Sequence, residues 1–201
     1  MALFHDPMTR NPRRSDLNAD LAPAVPQAVL RASTNLTTVG NIGFWVQIVV
    51  GAFAVVTFLF ASMGLTFGQD RTTGIEAGII SAFISLILLC VGIYFSVRYR
   101  QLGRQLQNAD NHPRRADILQ LIRWGLLINL AGMGMAIIGA AAISGIVLVK
   151  SLSIPQGTLA ANPKQFVQSI DLLAIQANTN TIIAHFTGLL SSLWLLDRIH
   201  K

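Results

Sequence analysis

The stretch DLLAIQANTNTIIAHFTGLLSSLWLL, residues 171–196, contains no lysine, arginine or proline, yet Gln176, Asn178, Asn180 and His185 interrupt its apolar run. A helix crosses the hydrocarbon layer of a bilayer with about 20 predominantly apolar residues at ~1.5 Å each. This stretch is long enough, and so are residues 42–67, 75–97 and 124–149. The 201-residue chain is 52% hydrophobic and only 12% charged, too apolar for an ordinary soluble domain. The short alternating strands of a transmembrane barrel are absent. The expected fold is therefore all-α: a polytopic membrane protein with four transmembrane helices, spanning about 42–67, 75–97, 124–149 and 172–196.

Outside these spans, residues 1–26 read as a flexible polar tail. They hold Pro7, Pro12, Pro23 and Pro26 and lack the apolar core of a secretory signal. Residues 27–40 read as a juxtamembrane helix opening after a proline, with a joint to the first span at Gly40 and Gly43. The remainder, 41–201, forms the membrane domain, with a basic helical loop over 98–123. In that loop VRYRQLGRQLQ extends the second span, NADNHP breaks the helix, and PRRADILQLIRW restarts it. Its simplest form is a helical hairpin on the membrane surface; its functional form is a docking site for a partner. The single cysteine, Cys90, permits no intrachain disulfide.

Positive charge orients the chain, because lysine and arginine are retained on the cytoplasmic side. The tail carries Arg10, Arg13, Arg14 and Arg31, the second loop Arg98, Arg100, Arg104, Arg114, Arg115 and Arg123, and the end Arg198 and Lys201. Only Arg71, Lys150 and Lys164 fall on the other side. Both termini are thus expected in the cytoplasm. Trp45, Tyr94, Tyr99, Trp124 and Trp194 fall at the same ends of the spans, where amphipathic rings favour the headgroup region. The net charge of +6 suits a bilayer with anionic headgroups. No recognition motif accompanies it, so nucleic acid is not an expected partner.

At roughly 100° per residue, positions seven apart share a helical face. Asp171, Asn178 and His185 form one such stripe, continued by Gly188 and Ser192. Gln176, Asn180, Thr187 and Ser191 form another. Unpaired polar groups are costly in lipid, so both stripes call for burial, within the bundle or against a second subunit. Gln47 and Asn129 lie at matching depths in the first and third spans and are expected to meet as a hydrogen-bonded amide pair. Gln47, Asn129, Asn178 and His185 then form a candidate polar path, with Glu76 and Asp171 as acids at its outer mouth. His185 and Asp171 are the candidate metal ligands, and Met133, Met135 and Cys90 are softer ones. Each feature has a plainer use: acids in first turns stabilise helix N-termini, and amides between membrane helices hold them together. Gly74, Gly78 and Ala82, with Gly132, Ala136 and Ala140, repeat at four-residue spacing, as do Gly43 and Gly51 about Gln47, which allows close helix approach. No phosphate-binding loop, zinc spacing, carboxylate pair or nucleophile motif is present, so an enzyme is not expected.

The motifs GFWVQ, PRRADILQLIRWGLLINLAGMGMAIIG and DLLAIQANTNTIIAHFTGLLSSLWLL, with their spacing, resemble the chloroplast inner-envelope proteins described both as a permease and as a translocon component, and their cyanobacterial relatives. The resemblance covers residues 27–199. No plastid transit peptide precedes it, which points to a cyanobacterial member in a plasma or thylakoid membrane. The resemblance implies four transmembrane helices and a role in iron uptake or protein import, and it assigns no catalytic or binding residue. The expected function is transport, as an oligomeric permease for iron or another divalent cation. The alternative is a scaffold, translocon or assembly subunit of a larger photosynthetic membrane complex.

Overall fold

A computed structural model describes residues 26–67, 75–107, 113–152 and 169–200. The tail expected over 1–26 lies outside these residues but for Pro26, as do Arg71, Gly74 and Lys164. The described chain is helical: α1 (Gln27–Phe67), α2 (Ile75–Gln105), α3 (Arg115–Leu152) and α4 (Ser169–His200). All four are long and apolar enough to cross a membrane. The helices begin where local chemistry permits. The Pro26 carbonyl accepts from the amides of Val29 and Leu30 at 2.8 and 3.2 Å, a start that needs no amide from the proline itself. The first turn of α3 carries Asp117 and that of α4 Asp171, each favoured by the positive end of the helix dipole.

α1 is unbroken at Gly40 and Gly43. These glycines are contact points rather than a joint: a Cβ on Gly40 would lie 3.0 Å from Tyr99 Cβ, and one on Gly43 2.9 Å from Ser191 Oγ. The juxtamembrane segment and the first span therefore form one rod of 41 residues. Likewise the helical parts of the basic loop do not lie flat as a surface hairpin. They continue α2 and α3, and they pack with α1 and α4.

The four rods form a square in which α1 and α3 each pack against both α2 and α4, and α2 touches α4 across the diagonal. Leu36, Tyr99, Leu106, Ile118, Ile122 and Leu195 form an apolar core at the arginine-rich end, drawing on all four helices. A smaller one, Ala61, Ile143 and Ala174, closes the other end. Ser33 Oγ donates to Gly103 O at 2.8 Å and Arg115 donates to Ile199 O at 2.6 Å, which places the start of α1 and the end of α4 at the same end of the bundle.

Along the middle of the rods the pattern is inverted relative to a soluble bundle. Phe53, Phe60, Ile80, Ile138 and Leu148 face outward, whereas Gln47, Ser85, Asn129 and His185 are buried. Helices that turn most of their large apolar side chains outward and bury polar ones at their seams suit a lipid surround. Trp45, Tyr94, Trp124 and Trp194 project outward near one level of the bundle, as an interfacial belt does. Tyr99 departs from that expectation and points into the core. Gly125 opposite it has no side chain, and a Cβ there would collide with the phenol oxygen.

Candidate functional site

One residue from each of α1, α3 and α4, and two from α2, meet at the centre of the bundle. Ser96 Oγ donates to Gln47 Oε1 at 2.7 Å, and Gln47 Nε2 donates to Asn129 Oδ1 at 3.0 Å. Asn129 Nδ2 donates to the Gly125 carbonyl at 2.8 Å, which fixes its amide orientation and leaves Oδ1 as the acceptor. His185 Nδ1 lies 3.2 Å from that same Oδ1, and Nε2 lies 3.1 Å from the carbonyl of Ser85. Ser85 Oγ donates in turn to the Gly132 carbonyl at 2.8 Å. His185, Gln47, Asn129, Ser85 and Ser96 are at most 2% exposed.

The expected pairing of Gln47 with Asn129 is therefore present, and His185 joins it. Glycines create the space. A Cβ on Gly132 would overlap the imidazole, one on Gly188 would overlap the Gln47 and Asn129 amides, and one on Gly92 would lie 2.8 Å from Asn129 Oδ1. Among the described residues no charged side chain bonds to this cluster.

The stripe on α4 continues in both directions. Asn178 Nδ2 donates to the Ala174 carbonyl at 3.1 Å, but its Oδ1 is buried with no hydrogen-bond partner and faces Gly139. Asp171, 6% exposed, sits at the far end and is paired with Lys150, whose Nζ lies 3.3 Å from both carboxylate oxygens. Towards the arginine-rich end, Ser192 Oγ donates to the Gly188 carbonyl at 2.9 Å, so its contact with Tyr99 at 3.1 Å takes the phenol as donor. Asp171, Asn178, His185 and Ser192 thus form a buried column. From 171 to 192 it extends about 31 Å at ~1.5 Å per residue, close to the ~30 Å hydrocarbon thickness.

His185 and Asp171 do not come together as metal ligands. They are about 21 Å apart along α4 at ~1.5 Å per residue, and both nitrogens of the histidine face oxygen acceptors within the cluster. Among the described residues no three His, Cys, Asp or Glu side chains form a metal-holding group. Cys90 is exposed, and Met133 and Met135 are half-buried. Glu76 occupies the first turn of α2, and its side chain is outside the described residues.

The second stripe is not buried within the chain. Gln176 is exposed and donates to Asn180 Oδ1 at 3.0 Å, and Thr187 and Ser191 bond back to carbonyls of their own helix. A stripe centred more than 90° from the packing face is left to the surface once the other face has filled the core. At the arginine-rich end, Arg98, Arg104, Arg114, Arg115 and Arg123 are exposed. Arg100 is held over the Phe44 ring at 4.0 Å and bonds Asn41 Oδ1 at 3.2 Å.

Ser85 and Ser96 were not foreseen as members of the cluster. They are eleven residues apart on α2, three turns and about 20° at ~100° per residue, so the spacing places them on one face. Gly132 and Gly188 were visible as small residues, but which polar groups they accommodate depends on tertiary packing.

A family model described as "Protein of unknown function (DUF3611)" matches residues 26–200. The chain is 30% identical over 189 residues to Protein TIC 21, chloroplastic, of Arabidopsis thaliana. That match covers 87% of this chain and 60% of the relative's length. No solved structure matches the chain. The matched region contains all four helices and the whole polar column, and the chain belongs to the DUF3611 family, with the kinship to the chloroplast inner-envelope permease and translocon proteins that its motifs carry.

Proposed function

We propose that the protein is a membrane transport protein that moves a small cation, most concretely iron(II) or another divalent metal ion, along the axis of its bundle, and that it works as an oligomer. The observation supporting this reading is the buried column from Asp171 through Asn178 and His185 to Ser192. Packing alone calls for polar contacts at a few helix crossings; a column as long as the hydrocarbon layer offers oxygen groups at successive depths. A cation entering the membrane must exchange hydration water for such oxygens. Asn178 Oδ1, which has no partner, is the first of them beyond the Lys150–Asp171 pair.

In this reading the described arrangement is closed. Lys150 neutralises the acid at one mouth, the apolar core around Tyr99 covers the other end, and the Gln47–Asn129–His185 network must part for an ion to pass. His185 acts as a latch between Asn129 and Ser85 rather than as a ligand. The arginine-rich end faces the cytoplasm of a cyanobacterium, across a plasma or thylakoid membrane with anionic headgroups.

The test is iron(II) uptake by liposomes holding the purified protein, with Asn178→Leu as the variant, because that substitution leaves the central network intact. Uptake above empty liposomes in the wild type, lost in the folded variant, supports a conduction path. No uptake by folded wild type defeats the transport reading and leaves the scaffold or translocon subunit, in which the same column is interhelical adhesion.

A further inference from the structure

Gln176 and Asn180 are one turn apart on α4 and turn away from its packing face, which carries Asn178, Thr181, His185 and Gly188. Around them the outward surface is apolar, with Leu173, Ile183, Leu190 and Trp194 between 36% and 49% exposed. Asn180 lies about 12 Å along the helix from Leu172, where the span begins, at ~1.5 Å per residue. That depth is beyond ready reach of headgroup water.

The amides solve part of the problem themselves, because Gln176 Nε2 donates to Asn180 Oδ1 at 3.0 Å. This bond draws the glutamine amide down to the level of the asparagine. It leaves Gln176 Oε1 as an acceptor and Asn180 Nδ2 as a donor, on one exposed and one half-buried residue. Lipid satisfies neither group, and an apolar helix would strand both.

An acceptor and a donor at one level are self-complementary about a two-fold axis along the membrane normal. Gln176 Oε1 of one chain then receives Asn180 Nδ2 of the other, and the reverse, closing a ring of amide hydrogen bonds. Such isologous contacts are the commonest way for identical subunits to associate, and amides join membrane helices in this manner. We propose that the outward face of α4 is the contact between two copies of this chain, with Gln176 and Asn180 at its centre and Leu173 and Ile183 packed around them. The surface of α3 is the rival: Gly134 and Gly145 there have open space at the Cβ position. It permits close approach, but residues 134–145 hold no amide side chain that could close such a ring.

The proposal rests on the bilayer placement of α4 and not on transport, so its test is separate from ion uptake. In the full-length protein with Cys90→Ser, cysteine is introduced singly by Leu173→Cys, Ile183→Cys or, on α3, Ile138→Cys, and the proteins are oxidised in liposomes at low protein-to-lipid ratio. The expected result is a disulfide-linked dimer from Ile183→Cys and Leu173→Cys and none from Ile138→Cys. Adding Gln176→Leu and Asn180→Leu is expected to weaken self-association roughly tenfold, read by subunit counting of single liposomes. A dimer from Ile138→Cys alone, no cross-link from any position, or undiminished cross-linking in the double leucine variant would each overturn the proposal.

Discussion

Gly132 of α3 lies directly against the imidazole of His185 of α4, so that the smallest possible side chain on the one would occupy the space of the other. The histidine is thereby held between a glycine and its two oxygen partners, and the position of the ring depends on what residue 132 lacks. Gly132→Ala is expected to push the ring off Asn129 Oδ1 and Ser85 O, or to part α3 from α4. Overpacking of this kind costs about 1–3 kcal/mol. Unfolding of the purified variant in mixed detergent micelles measures it, and unchanged stability would show that the helices yield easily here.

Removing the ring exposes the opposite weakness. His185→Ala removes the imidazole that lies between Asn129 Oδ1 and the Ser85 carbonyl, and with it the one N–H that a neutral ring donates to these two buried acceptors. Stranding buried acceptors costs roughly 1–3 kcal/mol, and the lost volume adds a cavity penalty. Gly132→Ala combined with His185→Ala should recover part of the loss, because the new methyl enters the vacated space. A double variant no more stable than the additive sum would refute the fit of the two residues.

The bond between Gln47 and Asn129 has a measurable coupling. Interhelical polar contacts in membranes are worth about 0.6 kcal/mol on average, up to ~1.7. A double-mutant cycle with Gln47→Leu and Asn129→Leu is expected to give a value in that range or above, since Asn129 Oδ1 also serves His185. A coupling indistinguishable from zero would mean the two amides act independently.

Lys150 and Asp171 predict different outcomes for stability and for flux. The lysine is 23% exposed and the carboxylate 7%, so the pair is partly screened and Lys150→Met should shift stability by about 1 kcal/mol or less. If cations enter at this mouth, the same substitution should raise iron(II) uptake, and Asp171→Asn should lower it. Equal uptake in all three proteins would remove this pair from the path.

Tyr99 offers a local test of the buried phenol. Tyr99→Phe deletes the donor to Ser192 while keeping the ring in the core, and a loss near 1 kcal/mol is expected. Ser192→Ala should cost little more when added to it.

The four spans and the buried face of α4 were legible because length and seven-residue spacing are properties of the chain alone. Gln47 could be matched to Asn129 by counting residues from the ends of their helices, since helical rise is constant. Tyr99 could not be placed, because nothing local separates a tyrosine of the headgroup belt from one admitted to the core by Gly125. Gly40 and Gly43 illustrate the same limit: a glycine in a helix signals a break or a close approach equally, and only Tyr99 and Ser191 opposite them decide. Gln176 and Asn180 looked as polar as Asn178 and His185. Which stripe turned inward depended on the partners Gln47, Ser85 and Asn129 contributed by other helices.

The apolar core at the arginine-rich end takes Leu36 from α1, Tyr99 from α2 and Leu106 from the turn just after it, Ile118 and Ile122 from α3, and Leu195 from α4. Leu195 lies on α4, the last of the four helices in chain order, so this core is completed only when α4 has joined the other three. Until then Leu36 and Ile122 stand uncovered at the mouth of the bundle. The turn of α4 that carries Leu195 therefore acts as the bolt that closes the molecule, and a protein truncated before Leu195 should insert its helices yet remain open to proteases at that end.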